Sequence, residues 1–267
     1  ELSRDMLNPM AFSFVTNDMF LRYRTVEDER HSYTLDRGFT FEQQLNAHTH
    51  HALDVRLDDL ADAEREARIP LLVISPTCLN DGRRLVIATQ PMSFLTAISP
   101  AATTAIPSQP EGIEFQRMFA EQGAGRLKLT SALRMNASFP YITPVVSLPS
   151  EPTMRVMDAG VRDNYGYRAT LAFIHTFGDW IKENTGGVVL LQLRDTQKEL
   201  EVRPSSGSLL GRILDPIGNV YNNFVRVQGQ DYDLMLRLAG GGHDFPMHVI
   251  DVQLNHDEEE QISLSWH

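Results

Sequence analysis

Asp158 follows the apolar run Met154-Arg-Val-Met157 and precedes Ala159-Gly160-Val161-Arg162-Asp163-Asn164. A strand that ends on an aspartate and enters a glycine turn presents a carboxylate at the carboxyl rim of a sheet. In open α/β sheets that rim is where ligands bind and chemistry is done. The competing reading of an isolated Asp-x-Gly is a helix-capping aspartate after a strand. Other groups are weaker candidates. His48, His50 and His51 invite a metal site, but only His48 and His51 share a helix face. No carboxylate completes a His-Glu-x-x-His spacing, so solvated structural histidines are the better reading. Cys78, the single cysteine, cannot form an internal disulfide and lies in an apolar run, which favours a buried, inert thiol. Ser131 and Ser138 precede the aspartate without a nucleophile turn. Among 17 glycines none is followed two residues later by serine, so no Gly-x-Ser-x-Gly is present. Gly240-Gly-Gly242 comes after the aspartate and suits a helix C-cap turn.

The order of segments around Asp158 resembles the patatin-like phospholipases, in a bacterial form. That family has a helix ending in a small-residue and proline segment, then a strand, then Asp-Gly-Gly-x-x-Asp-Asn. The matching residues are Ala132 to Pro144 and Asp158-Ala-Gly-Val-Arg-Asp-Asn164. Ala159 replaces the first glycine of the pair, which is compatible with φ below zero there. The resemblance is most specific over 132–166, extends from Leu2 to Leu193 and thins beyond. It implies a Ser–Asp dyad with Asp158 as the base that accepts the serine proton. An aspartate of pKa about 3.9 is weak for that task, so N–H donors facing the oxyanion must lower much of the barrier. It further implies that Gly160 permits the turn and that Asp163 and Asn164 fix it by side-chain to backbone hydrogen bonds. No cofactor or metal is implied.

The expected fold is therefore α/β and patatin-like: a central, mostly parallel mixed sheet flanked by helices, with an antiparallel hairpin near 70–89. Residues 1–267 would form one such domain. Its first strand, oxyanion loop and nucleophile turn would lie before Glu1, and it would continue past His267. The implied function is the carboxyl-terminal portion of a lipid acyl hydrolase. The parent protein would be a serine phospholipase or esterase, and residues 1–267 alone would be inactive. The alternative is a non-catalytic binding or scaffold domain of the same fold. Partners would be a lipid or ester substrate and a membrane surface, reached through parts of the protein outside this sequence. Substrate lipid, compartment and oligomeric state are left open.

Net charge −11, from 35 acidic and 24 basic side chains, disfavours nucleic acid, which needs a basic face. No run approaches the roughly 18 apolar residues of a membrane span. A chain of this length can bury roughly three quarters of its unfolded surface without staples.

The elements that must position Asp158 follow from periodicity. Residues 1–24, rich in Met and Phe, read as a buried helical hairpin, or else as an apolar flap by a lipid cleft. The charged stretch 25–37 reads as a surface loop. Asp36 or Thr40 is placed to cap a helix beginning near Phe39. Leu53 to Arg68 has the period of an amphipathic helix. Leu71–Ser75 and Arg84–Thr89 are strands about the turn Asn80-Asp-Gly82. Pro91–Pro110 is an irregular loop whose Phe94, Leu95 and Ile98 either pack or meet lipid. Helices are expected over Glu114–Ala120 and Leu127–Met135. Tyr167–Glu183 reads as one helix with Leu171, Ile174, Trp180 and Ile181 buried. Val188–Leu193 reads as a central parallel strand buried on both faces, making a right-handed βαβ unit from Arg155 to Leu193. Beyond it come a loop over 194–219, a helix over Asn222–Leu238, a strand over Met247–Leu254 and an acidic turn over Asn255–Glu260.

Overall fold

The computed structural model describes residues 6–20, 24–28, 31–96, 110–138, 143–194, 227–229, 231–232, 234–236 and 245–253. The elements begin with α1 (Leu7–Ser13), a π-helical stretch Phe14–Phe20, β1 (Thr25–Asp28), β2 (His31–Thr34), α2 (Arg37–His48) and α3 (Leu57–Arg65). Then come β3 (Val73–Ile74), β4 (Thr77–Cys78), β5 (Arg84–Ala88), a 3-10 turn Ser93–Leu95, β6 (Gly112–Glu114), α4 (Phe115–Met118) and α5 (Leu129–Asn136). The chain continues through β7 (Val146–Leu148), β8 (Met154–Met157), α6 (Gly160–Asp163), α7 (Tyr167–Thr176), α8 (Gly178–Asn184), β9 (Val188–Arg194) and β10 (Met247–Gln253). Residues 227–229, 231–232 and 234–236 are helical, within the helix predicted over 222–238. The chain is α/β and falls into two compact units, Glu1–Ala172 and Phe173–His267.

The first unit is built on a sheet that is antiparallel, which corrects the mostly parallel expectation. β5 runs antiparallel to both β3 (Ile74↔Ile87) and β4 (Thr77↔Arg84). β8 runs antiparallel to β4 (Thr77↔Met157) and to β7 (Val146↔Val156). The predicted hairpin near 70–89 is therefore present, and it belongs to an antiparallel sheet. Tight connections impose this arrangement. β4 and β5 are joined through Asn80-Asp81-Gly82, with Gly82 at φ 75, whereas a parallel neighbour needs a crossover of roughly a dozen residues. β6 follows such a long connection and is the strand that pairs parallel to β5 (Arg84↔Gly112). Because Arg84 is in register with Thr77 and with Gly112, β4 and β6 flank β5 on opposite edges.

β5 is buried along its whole length and serves two cores by alternation. Leu85 and Ile87 join Leu57, Phe115, Phe119, Ala132, Met135 and Val156. Val86 and Ala88 join Met92 and Leu95. On α5, Leu129, Ala132 and Met135 recur every three residues, so one face of that helix enters the first core. Phe94 and Leu95 pack into the second core, so the plain packing alternative holds for them. Ile98 lies outside the described residues.

Other predictions near the amino end are revised. Residues 25–37 contain the hairpin β1–β2 (Thr25↔Thr34 to Asp28↔His31) rather than a loop. Residues 7–20 are not a buried hairpin: Met10 is buried, but Phe12, Phe14, Val15, Met19 and Phe20 are exposed, Phe20 to 73%. Asp36 caps α2 as predicted, accepting the Phe39 N–H at 2.8 Å. α3 starts later than predicted, at Leu57, where the Asp59 carboxylate accepts the Arg56 N–H at 2.8 Å.

In the second unit the predicted parallel strand is present: β9 pairs parallel with β10, from Val188↔Met247 to Arg194↔Gln253. It is not buried on both faces. Val189, Leu191 and Leu193 are exposed, Leu193 to 70%, while Gln192 is buried. β8 finds its neighbours in β4 and β7, so the βαβ unit from Arg155 to Leu193 is not formed among the described residues. The single helix expected over 167–183 is α7 and α8, broken at Phe177. Ile174 and Ile181 are buried with Phe245, but Trp180 is 60% exposed. The loop over 194–219, Gly240–Gly242 and the turn over 255–260 fall outside the described residues, apart from Arg194, which ends β9.

Candidate active site

Asp158 leaves β8 and is tied down through its main chain. Its N–H donates to Ser138 O at 3.2 Å, and the next N–H, of Ala159, donates to Asn136 O at 3.1 Å. Both acceptors lie at the end of α5, so the small-residue stretch that begins at Ala132 and the aspartate meet directly. The Asp158 carbonyl accepts the Thr77 Oγ1 hydrogen at 2.9 Å, which adds a tie to β4. The half-buried carboxylate accepts the Gly160 N–H on Oδ1 at 2.6 Å. This is an Asx-type closure that restricts the side-chain rotamer. Ala159 has φ −64 and ψ −30, so alanine is unstrained there. Gly160 is buried in helical backbone as the first residue of α6, and its contribution is the N–H donated to Asp158. The left-handed residue in this stretch is Gly166, at φ 69.

Asp163 is buried, and its carboxylate accepts the Arg168 N–H, at 3.1 Å to Oδ2 and 3.4 Å to Oδ1. It thereby satisfies an amide of the first turn of α7 that has no intrahelical partner. Its own N–H donates to Ala159 O at 2.8 Å. Asn164 is half-buried directly after α6. Arg162 reaches the β4–β5 turn, where its Nη1 donates to Gly82 O at 2.6 Å. That turn is braced against β8 by Asn80, which donates to Thr153 O (3.0 Å) and accepts Arg155 N–H (2.8 Å).

One group beneath the site is not singled out by the sequence pattern. Arg84 opens β5 and is only 2% exposed. Its Nη2 donates to Leu95 O at 3.0 Å, and Nη1 lies 3.8 Å from Asp163 Oδ2. Glu111 Oε2 is 4.0 Å from Nη2 and 3.8 Å from Arg168 Nη1. Burial holds the Arg84 guanidinium below its ordinary pKa, and Asp163 and then Glu111 oppose that shift. The available signal was a charged residue adjoining the apolar run Leu85-Val-Ile-Ala88.

The remaining candidates are accounted for by packing. Ser131 Oγ donates to Glu42 Oε2 at 2.8 Å, and buried Ser138 donates to Arg134 O at 2.6 Å. His50 (φ 51) and His51 (φ 62) form the left-handed turn after α2, with His51 N–H on Asn46 O at 2.8 Å. Among the described residues no group of three or more His, Cys, Asp or Glu side chains is arranged to hold a metal ion. Cys78 is buried, and burial pushes its thiol pKa up, away from the reactive thiolate. Compared with known proteins, the chain matches no family model, no curated protein and no solved structure.

Proposed function

We propose that this chain carries the base of a patatin-like serine hydrolase acting on lipid esters, with Asp158 as proton acceptor and the seryl nucleophile outside residues 1–267. The supporting observation is the held carboxylate. Asp158 leaves β8 half-buried, with Oδ1 on the Gly160 N–H and its own N–H and C=O both hydrogen-bonded. A base fixed in this way loses little orientational freedom when the proton moves.

In the proposed reaction the Asp158 carboxylate takes the proton of the serine hydroxyl as its oxygen bonds to the ester carbon. The carbonyl electron pair moves onto oxygen, where backbone N–H donors stabilise it. Collapse expels the alcohol, which takes the proton back from Asp158. Water then repeats the sequence on the acyl-serine, releasing fatty acid and restoring the hydroxyl. The second reading, a non-catalytic scaffold of the same fold, is favoured by the absence of Gly-x-Ser-x-Gly among the 17 glycines.

The two readings separate in the full-length protein. For the hydrolase, Asp158→Asn lowers turnover of a short-chain p-nitrophenyl ester by about 10²- to 10⁴-fold, with an unchanged thermal melt. Unchanged turnover in that variant removes Asp158 from the mechanism.

A further inference from the structure

Arg84 is out of character with its strand. Leu85, Val86, Ile87 and Ala88 are apolar and buried, and Arg84 is buried as deeply. Burying a guanidinium is costly unless it is well paired. Here the compensation is thin: one hydrogen bond, to Leu95 O, and ion pairs at 3.8 and 4.0 Å. Nε and Nη1 have no hydrogen-bond acceptor. Its closest carboxylate, Asp163, is itself buried.

What the charge does touch is the turn after Asp158. Arg84 lies against Asp163. Asp163 holds the Arg168 N–H with its carboxylate and the Ala159 C=O with its own N–H. Ala159 follows Asp158 directly. We infer that Arg84 is a positioning residue for Asp158: its buried charge anchors Asp163, and Asp163 fixes the 158–168 turn against β5. The catalytic part of this inference rests on Asp158 being the base; the structural part does not.

The test compares Arg84→Met, Arg84→Lys and Asp158→Asn with the native full-length protein. The readouts are thermal melts, kcat and KM on a short-chain p-nitrophenyl ester, and hydrogen exchange at the Gly160 and Arg168 amides. Arg84→Met is expected to fold but to melt below the native protein, because it leaves the buried Asp163 carboxylate without its cationic partner. Its kcat falls by about 10- to 100-fold through misplacement of the base, while KM stays within about threefold. The Gly160 and Arg168 amides exchange faster, and Arg84→Lys, which keeps the charge, recovers part of kcat.

Native kcat and native exchange in Arg84→Met would overturn the inference. So would failure of both Arg84 variants to fold, since Arg84 would then be a structural residue. If Asp158→Asn loses turnover and Arg84→Met keeps it, the inference falls and the hydrolase reading stands. If Asp158→Asn keeps turnover, the hydrolase reading falls, and exchange at Gly160 and Arg168 still decides whether Arg84 anchors the turn.

Discussion

At the scale of single residues, two buried or half-buried carboxylates are handled differently. Asp158 keeps partial exposure and receives a backbone N–H. Glu42 is buried on α2 against α5, and burial raises its pKa above the ordinary 4.5, opposed by Arg134 and the Ser131 hydroxyl. A folded-state pKa raised above the unfolded value contributes stability that is present at acid pH. That contribution is lost as pH rises through the folded-state value. Glu42→Gln cannot ionise, so its melting temperature should gain on that of the native protein as pH goes from acid to neutral. A variant melting temperature that stays level with the native one or falls relative to it as pH rises would show that burial does not raise the Glu42 pKa. The turn after Asp158 was legible because its contacts are local: the Gly160 N–H reaches the Asp158 carboxylate and the Asp163 N–H reaches Ala159 O. Arg84 was not: its partners Leu95, Glu111 and Asp163 are brought to it by the sheet, and a charge adjoining an apolar run is by itself too common to mark a buried guanidinium.

At the scale of elements, α2 and α5 are clamped by charge. Arg134 lies 3.1 Å from Asp36 and 3.2 Å from Glu42, and its guanidinium rests where a Cβ on Gly38 would stand. Asp36 has two tasks, capping α2 and pairing Arg134. Asp36→Ala removes both and should lower stability by about 1–3 kcal/mol, of which about 1 kcal/mol is the cap. Asp36→Asn keeps a capping oxygen and should lose less. Equal losses in denaturant melts would assign the whole effect to the ion pair. The cap was readable because it is a contact over three residues. The strand order was not, because β8 joins β4 through pairings about 80 residues apart in the chain (Thr77↔Met157). The same apolar run, Val188–Leu193, fits a strand covered on both faces or one with leucines facing solvent, and periodicity does not distinguish them.

At the scale of the whole chain, two compact units each leave apolar side chains in water. In the first, Phe12 and Phe20 stand out from α1 and the π-helical stretch. Since solvent already wets them, Phe12→Ser and Phe20→Ser should each shift stability by no more than about 0.5 kcal/mol. A loss of several kcal/mol in either would mean that the side chain is buried in solution. The α/β class, the 70–89 hairpin and the β9 and β10 strands were readable from pattern. The antiparallel order of the sheet came from connection lengths acting on strands too short to reveal their partners. The central claim is that Asp158 serves a serine outside residues 1–267, and labelling by a serine-directed fluorophosphonate followed by peptide mapping tests it most directly. In the full-length protein the label is expected on one serine outside residues 1–267, about 10²- to 10⁴-fold slower in Asp158→Asn, with none on residues 1–267 expressed alone. Label on a serine within 1–267, or equal rates in the native protein and Asp158→Asn, would contradict it.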